Sequence, residues 1–115
     1  MLYKKKVTDE FVKDLSEVSV SRYEYYGNEA SGEKAITEFE IAVDTLGLFP
    51  LGFRGISVFY RNYEIHLMPY KKYNVFYIIN EKDKIITILR LLDAKTDWLK
   101  TLKTTSEYHI VNMAV

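Results

Sequence analysis

A chain of 115 residues with 48% hydrophobic content suits one domain over residues 1–115 with a real core and needs no second domain. Sixteen basic residues balance sixteen acidic ones, so no net positive field draws the whole molecule to nucleic acid, and any phosphate partner has to be met by a local patch. With no cysteine there is no disulfide, thiol nucleophile or thiolate metal site, and with only two histidines, His66 and His109, no metal or other cofactor is expected.

The N-terminal MLYKKKV lacks the apolar stretch of a secretion signal, and no run approaches the roughly 18 apolar residues of a membrane span, so a cytoplasmic protein with no membrane partner is expected. Leu2 to Val7 alternates like a first strand. Thr8 and Asp9 then offer a helix cap ahead of Glu10. Phe11, Leu15 and Val18, with Val12 beside them, fall on one helical face, while Lys13, Asp14 and Glu17 lie off it. Tyr23, Tyr25 and Tyr26 end this helix as packing residues, and Gly27 and Asn28 interrupt it. A second helix is signalled by Ser31 before Glu33 and continues through Ala35, Ile36, Phe39, Ala42, Val43 and Leu46, with Gly47 as a stop and Pro50 beyond. Two helices with one apolar stripe each predict an antiparallel hairpin laid on something flat.

The flat element follows. Ile56 to Tyr60, Tyr63 to Met68, Tyr73 to Asn80 and Lys84 to Leu92 are rich in β-formers and are separated by turns at Arg61 and Asn62, Pro69 to Lys72, and Glu81 to Asp83. Connections this short predict an antiparallel meander. Ala94 to Leu102, with Trp98, Leu99 and Leu102, reads as a short helix capped by Asp93 or Thr96. The tail from Tyr108 to Val115 is apolar, and its form is left open between strand, helix and partner-ordered segment. The expected fold is therefore α+β: an N-terminal strand, a helical hairpin packed on a mainly antiparallel sheet of about four to five strands, a short C-terminal helix, and an extra tail segment at 104–115.

Arg90 is the awkward residue. Alternation puts it on the face of Ile86, Ile88 and Leu92, where a guanidinium needs either an acidic partner, such as Asp93 or Asp97, or an anion to bind. Arg54, Arg61, Lys71 and Lys72 occupy the loops around the strands and, with Arg90, would form a basic rim for phosphate, the bland alternative being solvated turn charges. His66 alternates with Ile65 and Leu67 and points with Glu64 and Met68; nothing fixed by spacing orients it, which favours a structural role over a general base. The tyrosine cluster Tyr60, Tyr63, Tyr70, Tyr73 and Tyr77 suits either stacking on a partner or half-buried strand positions. Gly52 and Gly55 match no phosphate-cradling loop. The acidic residues form no spaced carboxylate pair.

Four pieces carry a family resemblance: VTDEFVKDL after the first strand, LGLFPLGF at the end of the hairpin, YNVFYIIN in the penultimate strand, and ITILRLLDAKTDW around Arg90. Together they resemble the RelE/ParE superfamily of toxins from type II toxin–antitoxin systems, over nearly the whole chain to about Leu102. The resemblance implies a bacterial growth inhibitor, of the kind linked to plasmid stabilisation, whose cognate antitoxin wraps it, as a homodimer or as a heterotetramer with the antitoxin. RelE-like members cut messenger RNA on the ribosome and ParE-like members inhibit DNA gyrase. Many RelE-like sequences keep an arginine three residues before the tyrosine matching Tyr77, where this chain has Asn74. They also often follow the last-strand arginine with histidine or tyrosine, where this chain has Leu91, Leu92 and Asp93. ParE-like members commonly read arginine, two apolar residues, then histidine, so only Asp93 departs from that pattern. The resemblance leans to a ParE-like, non-nuclease protein that touches its target through Arg54, Arg61, Lys71, Lys72, Arg90 and Trp98. The alternatives are a nuclease using Arg61, His66, Lys71, Lys72 and Arg90, and an inactive binding module of the same fold.

Overall fold

The computed structural model describes residues 2–27 and 29–111, with only the backbone of 22–26, 29–31 and 35. The expectations that rest on Asn28, on the side chains of Tyr23, Tyr25, Tyr26, Ser31 and Ala35, and on residues 112–115 lie outside the described residues. The elements run β1 (Lys4–Thr8), α1 (Asp9–Tyr26), α2 (Glu29–Leu48), a 3-10 turn (Pro50–Gly52), β2 (Gly55–Tyr60), β3 (Tyr63–Tyr70), β4 (Tyr73–Asn80), β5 (Ile85–Asp93), α3 (Trp98–Thr104) and β6 (Ile110–Val111). This is the expected α+β arrangement, with six strands once the two-residue β6 is counted.

Thr8 starts α1 by two bonds at once. Its hydroxyl oxygen accepts the Phe11 N–H at 3.0 Å, and the hydroxyl donates to the Leu89 carbonyl at 2.7 Å, tying the helix cap to β5. The second helix begins two residues before Ser31 and runs through Gly47 to Leu48. Gly47 is thus no stop: it lies buried inside the helix against Leu2 and Tyr3, and a Cβ there would make only ordinary contacts. Gly32 has a different use, since a Cβ there would overlap Ser19, so its absence lets α2 cross α1 closely.

The sheet order is β2-β3-β4-β5-β1-β6. Strands β2 to β5 form the predicted antiparallel meander, while β1 joins β5 in parallel and β6 closes antiparallel on β1. The β3–β4 turn is two residues, Lys71 and Lys72, not the four from Pro69. Pro69 is tolerated inside β3 because it pairs with Asn74 beyond the end of β2, where its missing N–H breaks no ladder.

Both helices pack on one sheet face. Phe11 and Val18 of α1 and Phe39, Ala42 and Leu46 of α2 meet Val75, Tyr77, Ile79, Ile86, Ile88 and Leu91. The Tyr77 ring is fully buried there, its hydroxyl donates to the Pro50 carbonyl at 2.8 Å, and burial raises its pKa. The other face carries Ile65, Phe76, Ile78 and Leu89, covered by Leu102 and Trp98 of α3 and by Tyr108. That helix starts four residues later than expected, with Asp97 as its cap in place of Asp93 or Thr96; the Asp97 carboxylate accepts the Lys100 N–H at 3.2 Å. Asp93 and Thr96 instead close the turn before it, Asp93 accepting from the Lys95 and Thr96 N–H groups and from the Thr96 hydroxyl.

Candidate functional site

The site is built around the end of β5. Tyr77 pairs with Ile88 but Phe76 pairs with Arg90, so Leu89 is an extra residue and the strand bulges there. The bulge resets the alternation. Arg90 shares the face of Phe76 and Leu92, not that of Ile86 and Ile88 as simple alternation required.

The partner of Arg90 is neither Asp93 nor Asp97 but Asp14. Nε donates to Oδ2 at 2.7 Å and a terminal nitrogen to Oδ1 at 2.9 Å, a two-point fork, while Oδ2 also accepts the Leu91 N–H at 3.0 Å. Both side chains are largely enclosed, at 19% and 8% exposure. The bonds from Asp14 raise the arginine pKa further, against the opposing effect of burial. Asp14, expected off the apolar face of α1, is buried, and Val12, expected beside that face, is exposed. Position alone gave no sign of this, because the partner that draws Asp14 inward is 76 residues away and sits on a bulge.

Tyr108 packs beside this pair. Its ring meets Tyr60 edge-on at 4.9 Å, and its N–H donates to the Tyr60 hydroxyl at 3.2 Å. Its own hydroxyl is buried with no hydrogen-bond partner among the described residues, and burial raises its pKa. The tail beyond is held by Glu10, whose carboxylate accepts the His109 N–H at 2.8 Å and lies 3.3 Å from the ring Nδ1. Burial works against the Glu10 charge, but the His109 bonds and charge outweigh it and hold the carboxyl below its usual range.

The expected basic rim is not one surface. The register places Leu67, Phe76 and Arg90 in one row across β3, β4 and β5, with the carbonyl of Arg54, just ahead of β2, accepting the Leu67 N–H at 3.4 Å and Trp98 on Phe76 at 5.2 Å, so Arg54, Arg90 and Trp98 share the α3 face. Three strand spacings separate the two arginines, roughly 14 Å. Arg61 stands in the β2–β3 turn, stacked on Tyr60 and 3.5 Å from Glu107. Lys71 and Lys72 stand at the other end of the eight-residue β3, roughly 25 Å away by the rise of an extended strand. Lys71 is paired with Glu38 of α2 at 2.6 Å, and Lys72 lies over Tyr73, which packs on the helix side. His66 points with Glu64 and Met68 as expected, stacked on Tyr77 at 5.3 Å, and its Nδ1 lies 2.7 Å from the Phe53 carbonyl. Asn74 is buried in β4 opposite Leu92, so neither offers a charge or a titrating group beside Arg90.

Residues 6–98 match the family described as the ParE toxin of type II toxin–antitoxin system, parDE. The chain belongs to this family. As a RelE/ParE superfamily toxin it also resembles two solved complexes. One is the archaeal RelE–RelB complex from Pyrococcus horikoshii OT3, at 25% identity and a TM-score of 0.53 over 83% of this chain and 98% of the other. The second is the toxin–antitoxin complex RelBE2 from Mycobacterium tuberculosis, at a TM-score of 0.57 over 81% and 99%, where 17% identity speaks for the fold alone. No curated protein matches significantly. Among the described residues of the toxin, no helix is long and apolar enough to cross a membrane.

Proposed function

We propose that this toxin stops growth by binding its target and not by cutting RNA, with DNA gyrase as the target in the manner of ParE-like members. The observation that carries the reading is the Asp14–Arg90 fork. A guanidinium whose charge is already met by a buried carboxylate, with Asn74 and Leu92 beside it, is a poor phosphate clamp, and the other cations are spread over two ends of the sheet. Arg54, Arg61, Lys71, Lys72 and Trp98, all reaching solvent, are then the target contacts, with Arg90 holding the strand end that presents them. Residues 1–115 act as a single toxin domain in the cytoplasm. A cognate antitoxin covers it, in keeping with the RelB-bound state of the two solved relatives.

A second reading, a ribosome-dependent messenger RNA endonuclease, draws on the RelE likeness and on Tyr108, a phenol beside Arg90. Induced expression separates the two. Growth arrest with trapped gyrase–DNA cleavage complexes supports the binding reading. Codon-aligned cuts in messenger RNA would replace it by the second. Normal growth with the intact protein accumulating would remove both and leave an inactive binding module.

A further inference from the structure

The helix side of the sheet holds a cleft at the end remote from Trp98. It has a volume of about 400 Å³ and is lined by Leu51, Asn62, Tyr63, Glu64, His66, Ile79, Asn80, Glu81 and Lys82. Two carboxylates, Glu64 and Glu81, face one ammonium, Lys82. Glu64 is set in place by the backbone of β2. A Cβ at Gly55 would overlap its carboxyl, so only glycine admits the carboxylate at that spot. Ser57, forced to a left-handed φ of 60°, donates its N–H to Glu64 Oε2 at 2.9 Å. The second oxygen, Oε1, remains as an acceptor. On His66 the carbonyl of Phe53 can only accept, so Nδ1 carries a proton and the ring is held in place. The strong side-chain groups of the cleft are therefore mostly acceptors.

The rim is apolar. Phe49, Leu51 and Phe59 are 66%, 65% and 62% exposed. Phe59 pairs directly with Glu64 across β2 and β3, and Phe49 closes the 3-10 turn that carries Leu51, so the apolar groups flank the carboxylate on two sides. Large apolar side chains gathered round a charged cleft mark a protein interface.

We infer that this cleft docks a segment of a protein partner that inserts one arginine between apolar residues. A guanidinium offers only donors, which Glu64 Oε1 and Glu81 accept, and its apolar stem lies along Leu51 and Phe59. The inference goes beyond the proposed activity, because this face is opposite to Arg54, Arg90 and Trp98 and does not depend on which target is blocked.

The test is an NMR titration of the full ¹⁵N-labelled chain with acetyl-Leu-Arg-Phe-amide and with its glutamine analogue. The arginine peptide should move the Ser57, Tyr63 and His66 amide signals saturably and bind at least about tenfold tighter than the analogue, the worth of a charge-assisted bond. Glu64→Gln keeps an acceptor for Ser57 and Glu81→Gln lies in an exposed turn, so both should fold, and each should lower the arginine preference several-fold. Equal binding of the two peptides, shifts centred on the Trp98 face, retention of the preference in both variants, or no saturable shift at millimolar peptide would each overturn the inference.

Discussion

Replacing Asp14 by asparagine removes one charge from the fork on Arg90 while keeping an oxygen for the Leu91 N–H, so it isolates the ionic part of the contact. Breaking a buried pair from one side costs about 3–5 kcal/mol, because the remaining charge is left enclosed. Arg90 is 19% exposed and lies past the end of β1 pairing, so it can swing toward water, which brings the expected loss below that range, to about 2–3 kcal/mol. With a urea slope of about 2 kcal/mol per molar, the unfolding midpoint should fall by about 1–1.5 M. Arg90→Met should cost at least as much, since it strands an 8%-exposed carboxylate that has less room to move. The double variant D14N/R90M should lose less than the sum of the singles by at least about 1.5 kcal/mol. Urea denaturation followed by far-ultraviolet circular dichroism measures all three. A D14N loss below about 0.5 kcal/mol, or additive singles, would refute the view that the fork holds β5 to α1.

Three further outcomes are expected. Because the folded Glu10 pKa lies below the ordinary 4.5, its contribution to tail docking is complete above that pH and is lost as pH falls through the lower folded value. Amide exchange at His109 and Val111, corrected for intrinsic rates, should accelerate as pH falls below 4.5, with Glu10→Gln abolishing that step; an unchanged step in that variant would count against it. Thr8→Val loses both the cap to Phe11 and the bond to the Leu89 carbonyl, and should cost about 2 kcal/mol in the same urea assay. Deleting residues 104–115 strips Tyr108 from the α3 face and β6 from the β1 edge, and should shift the protein toward aggregates on size-exclusion chromatography relative to the full chain. A monodisperse truncated protein would show that the tail is dispensable.

The meander was legible because its cues are local. Tyr73–Asn80 was bounded correctly by β-formers between charged turns, and the helical hairpin followed from two apolar stripes. The site was not legible, because each of its defining relations joins distant residues. A bulge one residue long reverses faces without altering composition, so alternation placed Arg90 with Ile86 and Ile88. Asp14 looked like any solvated helix carboxylate, since its burial is imposed from β5. The parallel seat of β1 beside β5 leaves no periodic trace in a five-residue strand. The acidic cleft was equally hidden, because Gly55 reads only as a glycine ahead of the strand and Ser57 as an ordinary strand residue until the backbone shows what they surround.

That seat of β1 orders events during synthesis. Lys4 leaves the ribosome early, yet its neighbour across the sheet, Ile85, follows only after both helices and three strands have emerged. The helical hairpin and the β2–β3–β4 ladder can close by local contacts, whereas the β1–β5 seam has a high contact order and must wait. Until then Val7 and Phe11 have no sheet to lie on. A nascent or prematurely ended chain is thus a half-built molecule with its first strand unmatched, and a toxin made in this order gains its complete surface only once β5 has emerged.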